Sequence, residues 1–289
     1  MNITRKHSKE GEENVDDIFI GHLECFLADY LTKCEDIERG KQYFERAAEK
    51  GNSMAHYQLG VLYYAGKSVI KNLDKAKLHF EEAVAKGNKN SLYYLAGFYY
   101  YGHAVRQDFV KARELFERGE ESRDVRARRF LGDIYFYGKG VVENYGRAFK
   151  LYESSAIDGN ADSLNDLGYI HHHGKGVVVN IQEARKYYEE AVKKGSIKAL
   201  NNLEYLYYKE EKNFGKAKEC VEKCIEKDNS SAMVNMAELY WNGEGVSKDT
   251  EKSICLYNKA SRMGNPTALA TLGAYNELHS DLFWNNLFL

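Results

Sequence analysis

The sequence predicts an all-α fold, a right-handed α-solenoid of antiparallel helical hairpins, on three observations. A Gly-Asn turn, Lys50-Gly51-Asn52, returns as Lys86-Gly87-Asn88, Asp158-Gly159-Asn160, Lys194-Gly195-Ser196 and Met263-Gly264-Asn265, with Lys227-Asp228-Asn229 as a variant. Successive turns lie 36, 72, 36, 33 and 36 residues apart, and a fixed period of this size marks stacked supersecondary units. Proline occurs once, at Pro266, and the stretches between glycines are rich in Ala, Leu, Lys, Glu and Tyr, so no strands are expected. Each period also repeats one stripe of small, large and small side chains at helical spacing.

Residues 1–15 read as a charged, disordered leader, because they hold no apolar run of signal-peptide length. Residues 16–281 read as one array of about seven hairpins with a terminal helix, since repeats that pack only on their neighbours escape the size limit of a single core. In each unit the first helix, helix A, carries Ala55, Ser91, Ala127, Ser163, Ala199, Ala232 or Ala268. Four residues on stands Leu59, Leu95, Leu131, Leu167, Leu203, Met236 or Leu272, followed by Gly60, Ala96, Gly132, Gly168, Glu204, Ala237 or Gly273. Glu204 is the one bulky departure.

A second signature, Gly66-Lys67-Ser68-Val69, recurs at Gly102, Gly138, Gly174 and Gly243. Its first glycine can take positive φ and end helix A while the valine returns to the core. A nucleotide loop would need a preceding strand and would not recur in five units. Helix B then carries Ala76, Ala112, Ala148, Ala184 or Ser253, with Phe80, Phe116, Tyr152, Tyr187-Tyr188 or Tyr257 one turn on. The sixth unit lacks the glycine turn near Lys209 and is three residues short, and the third ends at Ser122-Arg123-Asp124, a poorer cap than Gly-Asn.

The combined pattern, seen best in Ala127-Arg128-Arg129-Phe130-Leu131-Gly132-Asp133-Ile134-Tyr135-Phe136-Tyr137-Gly138-Lys139-Gly140-Val141, resembles the Sel-1-like repeat, a relative of the tetratricopeptide repeat. The resemblance covers roughly residues 35–278 and implies an adaptor without catalytic residues or cofactor. The first unit, 16–50, keeps only Gly40-Lys41-Gln42-Tyr43-Phe44 and Ala47-Ala48 of the pattern.

Register also governs the candidate chemistry. His171-His172-His173 takes the places of Tyr135, Phe136 and Tyr137, and consecutive helical residues diverge by about 100°, so the three are not expected to share a metal. Cys220 and Cys224 could form a reactive i, i+4 pair but read better as small core residues. The five cysteines, with Cys25, Cys34 and Cys255, are odd in number and follow no repeat pattern, which favours reduced thiols in the cytoplasm. No hydrolase or metalloprotease motif occurs, so neither enzyme activity nor a cofactor is expected. A net charge of -2 gives no case for nucleic acid or an anionic membrane, and no apolar span is long enough to cross a bilayer.

What remains is a binding surface for a protein or peptide partner. The position beside the buried stripe holds Tyr64, Tyr100, Phe136, His172, Tyr208 and Trp241, and adjacent rows add Tyr57, Tyr93, Tyr101, Tyr137, Tyr169 and Tyr205. Tyrosine and tryptophan combine contact area with a polar handle, and helix A ordinarily lines the concave side of such arrays. The alternative for these residues is packing between repeats. Arg123, Arg126, Arg128 and Arg129 form the densest basic cluster, with Arg126 and Arg129 on one face to receive an acidic segment or phosphate. Residues 282–289, Leu-Phe-Trp-Asn-Asn-Leu-Phe-Leu, are expected to cap the last hairpin or to serve as a docking or self-association patch. An immunity-type clamp on a toxin is the alternative form of partner binding.

Overall fold

A computed structural model describes residues 37–66, 69–226 and 229–287, with side chains described from 38 to 276. The expected leader, Cys25, Cys34 and the side chains of the apolar tail lie outside these residues. Among the described residues there are fourteen α-helices and no strand. They are α1 (Ile37–Glu49), α2 (Ser53–Ala65), α3 (Leu73–Ala85), α4 (Asn90–Tyr101), α5 (Phe109–Glu121), α6 (Val125–Phe136) and α7 (Tyr145–Ile157). There follow α8 (Ala161–His173), α9 (Ile181–Lys193), α10 (Ile197–Tyr205), α11 (Phe214–Ile225), α12 (Ser230–Asn242), α13 (Thr250–Arg262) and α14 (Pro266–Leu287). Even-numbered helices are helix A of their unit and odd-numbered ones helix B. The last helix runs for 22 residues, from Pro266 to Leu287.

The chain divides into two compact units, one through Ser155 and one from Ala156. In the first, the core runs through Phe44, Leu59, Phe80, Phe98, Phe116, Leu131 and Ile134, all at most 1% exposed. The small column of helix A exists to admit the aromatic column of helix B. A Cβ on Gly60 would stand 2.7 Å from the Phe80 ring, and one on Gly132 would stand 2.5 Å from that of Tyr152. The helix-B rings also stack on the next helix A, Phe80 on Tyr94 at 4.7 Å and Phe116 on Phe130 at 5.2 Å. In the second unit the same socket joins Gly168 to Tyr188 at 2.6 Å, and Leu167, Ile170, Leu206 and Met233 are fully buried.

Asparagine and aspartate start nearly every helix. The Asn of the Gly-Asn turn caps helix A, as where Asn52 accepts from the Met54 and Ala55 amides at 2.9 and 3.0 Å. Helix B has its own column of caps, Asn72, Asp108, Asn144, Asn180, Asn213 and Asp249, each accepting from the amide three residues on. Each cap contributes about 1 kcal/mol. The backbone N–H of the same residue donates to a helix-A carbonyl, Asn72 to Tyr63 at 3.0 Å through Asp249 to Tyr240 at 2.9 Å, and so clasps the hairpin shut.

Arg123 keeps the turn that glycine makes elsewhere. Its φ is 61°, in the left-handed region of Gly51 (82°) and Gly87 (85°), while the Asp124 amide still donates to Gly119 O at 3.1 Å. A side chain there costs roughly 1–2 kcal/mol, partly offset by the extra entropy glycine carries when unfolded. Arg123→Gly is therefore expected to raise the unfolding free energy by roughly 0.5–1 kcal/mol, read as a higher midpoint in urea.

The short sixth repeat makes its turn differently. In place of a glycine stop, α10 runs into a π-helical turn, Leu206–Glu210, with the Glu211 amide donating to Leu206 O at 3.1 Å. Lys212 then takes φ 51°, and Asn213 reaches Tyr207 O at 2.8 Å. The wider turn absorbs the three missing residues and still delivers the clasp.

Candidate interaction surface

The aromatic position beside the stripe splits by burial. Tyr100, Phe136 and His172 are 5%, 7% and 9% exposed, so as a surface ladder these three are corrected to packing between repeats. The cover differs at each one: the next glycine turn over Tyr100, the start of its own helix B over Phe136, and the π-helical turn beside His172. Lys139, from that glycine turn, donates to the Tyr100 hydroxyl at 2.7 Å with its ammonium 4.3 Å over the ring. Phe136 packs on Tyr145 at 5.3 Å, and His172 lies 3.8 Å from Glu210. Burial pushes the Tyr100 phenol up and the His172 imidazole down, so both stay neutral near pH 7. Tyr64 and Tyr208 are half-buried, and Tyr208 donates to Glu244 of the next turn.

Of the adjacent rows, Tyr57 and Tyr93 are half-buried against the core and the other four are open. In the first unit Tyr101 and Tyr137, last residues of their helix-A turns, are 51% and 59% exposed. In the second, Tyr169 and Tyr205 hold one register position and are exposed, as is Trp241, the open member of the position beside the stripe, one residue before the end of α12. Rings that stay exposed at fixed register beside their packed neighbours offer each unit large, stiff, amphipathic side chains for contact.

The basic cluster is neutralised at home. Arg126 grips the Asp124 carboxylate through two bonds, at 3.2 and 2.8 Å, and lies 4.2 Å over Tyr93. Arg129 stands 3.6 Å from Asp133, and Arg128 reaches Ser154 O at 3.3 Å. Arg126 and Arg129 thus brace helix A and its rings, and neither offers an uncompensated charge to an acidic partner. Burial pushes the Tyr93 phenol beneath Arg126 up to about 12.

The three histidine rings part as their register requires. His171 stacks on Tyr187 at 5.5 Å, His172 turns toward Tyr205 and Glu210, and His173 stacks on Tyr169 at 4.0 Å. Cys220 and Cys224 are buried, the Cys224 thiol donates to Asn201 Oδ1 at 3.2 Å, and burial pushes the thiols up to about 12 and about 11. They are core residues with little thiolate character.

Glu204 is the least expected side chain. It is 8% exposed on α10, where other units hold Gly or Ala, and Asn235 of α12 donates to its Oε2 at 2.9 Å. Burial pushes its carboxyl up to about 7. Val221 holds the helix-B place that a ring fills in the other repeats, so a large-for-small exchange on helix A accompanies a small-for-large one on helix B. The sequence marks Glu204 as a departure, and reading the Val221 column with it is the signal that finds the pair.

The sequence matches the Sel1 repeat over residues 24–52, 53–88, 89–122, 125–160, 161–196 and 230–265. The chain belongs to the Sel1 repeat family. Sel1 repeats form a non-catalytic scaffold that commonly mediates protein–protein interaction. The match skips 197–229, the repeat that holds Glu204, Val221 and the π-helical turn. A Sel1 repeat protein of Oxalobacter formigenes superposes with a TM-score of 0.74 at 21% identity, over 83% of this chain and 99% of that one. A protective antigen of uropathogenic Escherichia coli gives 0.74 at 26% identity over 90% of this chain, which spans 56% of the antigen's length. An immunity protein of Pseudomonas aeruginosa gives 0.53 at 16% identity, over 74% of this chain and 82% of that one. A search of curated proteins returns no match. Among the described residues no helix is long and apolar enough to cross a membrane.

Proposed function

We propose that the protein is a non-enzymatic adaptor that binds a peptide or folded protein partner on its helix-A surface. The observation that carries this reading is the pair Tyr101 and Tyr137, equivalent by register and both more than half exposed. Such rings anchor interfaces, where truncation of one commonly costs 2 kcal/mol or more. A cytoplasmic setting fits the free thiols of Cys220, Cys224 and Cys255.

The double variant Tyr101→Ala/Tyr137→Ala tests it. Proteins captured from the native host by the wild type are expected to be lost, or bound at least tenfold more weakly by ~1.4 kcal/mol per decade, while the melting temperature stays put. Undiminished capture by a folded variant rejects the surface. Tyr100→Ala would confound this experiment, because truncating a buried ring weakens the fold itself.

A second form of the same activity is neutralisation of a toxin or effector enzyme by clamping. It is supported by the immunity proteins of Pseudomonas aeruginosa, which share the fold. A toxin gene beside this one, whose product binds the purified protein and loses activity, would favour the clamp over a general adaptor.

A further inference from the structure

The sixth repeat departs from the others in four coordinated ways. It carries Glu204 for Gly or Ala, Val221 for an aromatic residue, a π-helical turn for the glycine stop, and a span three residues shorter. π-Helical turns of this kind occur often at functional sites. Between α10 with its turn and α12 lies a cavity of about 110 Å³, lined by Glu204, Tyr205, Tyr208, Lys209, Asn235, Glu238 and Leu239. That is room for about three to four waters, or for the head of a long side chain.

The lining has a definite preference. Glu204 and Glu238 supply carboxylates, the Asn235 amide fixes Glu204 in place, and two phenol rings form the sides. Glu244 holds the Tyr208 hydroxyl from outside and adds a third acid. The chain's own cation already shows what the box attracts. The Lys209 ammonium lies 4.5 Å over the Tyr208 ring, close enough to both Glu204 and Glu238 to lower their proton affinities against the effect of burial. Lys209 is itself exposed and tethered by a flexible stem, so it is a displaceable occupant.

We propose that this cavity takes the guanidinium or ammonium head of an arginine or lysine side chain presented by the protein partner. The proposal rests on the reading that the helix-A surface meets a protein, and it adds one anchor of stated chemistry. Carboxylates with a ring face suit a basic head through charge-assisted bonds and cation–π contact together. Exposed Tyr205 at the rim would pack along the aliphatic stem.

The test uses the full chain and capped amino acids, followed by backbone-amide NMR. N-acetyl-arginine methylamide, or its lysine counterpart, is expected to cause saturable shifts at residues 204–209 and 235–238, whereas the uncharged citrulline analogue causes none. Lys209→Ala, which removes the internal competitor, is expected to tighten binding severalfold. Glu204→Gln/Glu238→Gln is expected to weaken it at least tenfold. Absence of saturable shifts in both the wild type and Lys209→Ala, equal binding of citrulline, or full binding by the double Gln variant overturns the proposal. Tyr101→Ala/Tyr137→Ala should leave this binding unchanged, so failure of the cation pocket and failure of the aromatic surface are separable.

Discussion

Gly132→Ala is expected to lower the stability of the first unit by about 2–4 kcal/mol, although alanine is the better helix former, because the added methyl overpacks a fixed ring. The new Cβ would lie 2.5 Å from Tyr152 Cε1, well inside any real carbon contact. The ring cannot step aside, since it is 2% exposed and its hydroxyl donates to Asp133 Oδ1 at 2.7 Å. Relief must come from parting α6 and α7 or breaking that buried bond, and either one exceeds the helical gain of about 1 kcal/mol. Gly97→Ala on α4 is the control. Nothing lies within 4 Å of its added methyl, so it is expected to stabilise by about 0.5–1 kcal/mol. Adding Tyr152→Val to Gly132→Ala reproduces the paired exchange seen at Glu204 and Val221 and should couple favourably with it. Denaturant midpoints decide the matter, and equal effects from the two glycine variants would contradict the socket.

Glu204→Gln is expected to make the protein more stable at pH 8 by roughly 2–3 kcal/mol and to leave it nearly unchanged at pH 4.5, by linkage. Burial raises the folded carboxyl to about 7 from an ordinary value of 4.5. A group raised in the folded state contributes its full stability below the unfolded value and loses it as pH rises through the folded one. The wild type should therefore lose stability from pH 4.5 to 7, and the neutral amide should not. Asn235 can donate to the amide oxygen as it does to the carboxylate, so the variant keeps that bond. A separate slope remains in both proteins. His79, whose Nδ1 lies 3.2 Å from that of His56, is pushed down to about 4 by burial, so both lose stability as pH falls from 6.5 toward 4. A wild-type minus variant difference that stays flat from pH 5 to 8 would show that Glu204 does not titrate there.

The helices and their register were legible because both are local. Turn spacing, the small and aromatic columns and the lost turn near Lys209 can each be read within a single repeat. The Asx caps of helix B were equally legible, three residues after each turn valine, and mark a second ruler beside the Gly-Asn turn. Burial of Tyr100 was not legible, because it depends on a turn belonging to the next repeat. Lys139 closes over Tyr100 from 39 residues away, and no periodicity within one helix reports that cover. The pairing of Arg126 with Asp124 is a short-range bond between neighbours, and the charge cluster concealed it. The cavity beside Glu204 lies where that departure meets the π-helical turn and α12, and the sequence displays the departures without their meeting point.

The backbone clasp at the head of helix B spans nine residues in regular repeats, from Tyr63 to Asn72, and six in the short one, from Tyr207 to Asn213. The segment between varies in length, and in the short repeat the end of helix A takes up the change as a π-helical turn. For anyone grafting a recognition loop onto this chain, the stretch from Gly138 to Glu143 is therefore an insertion point whose two anchorages, Tyr135 O and the Asn144 amide, are already in place.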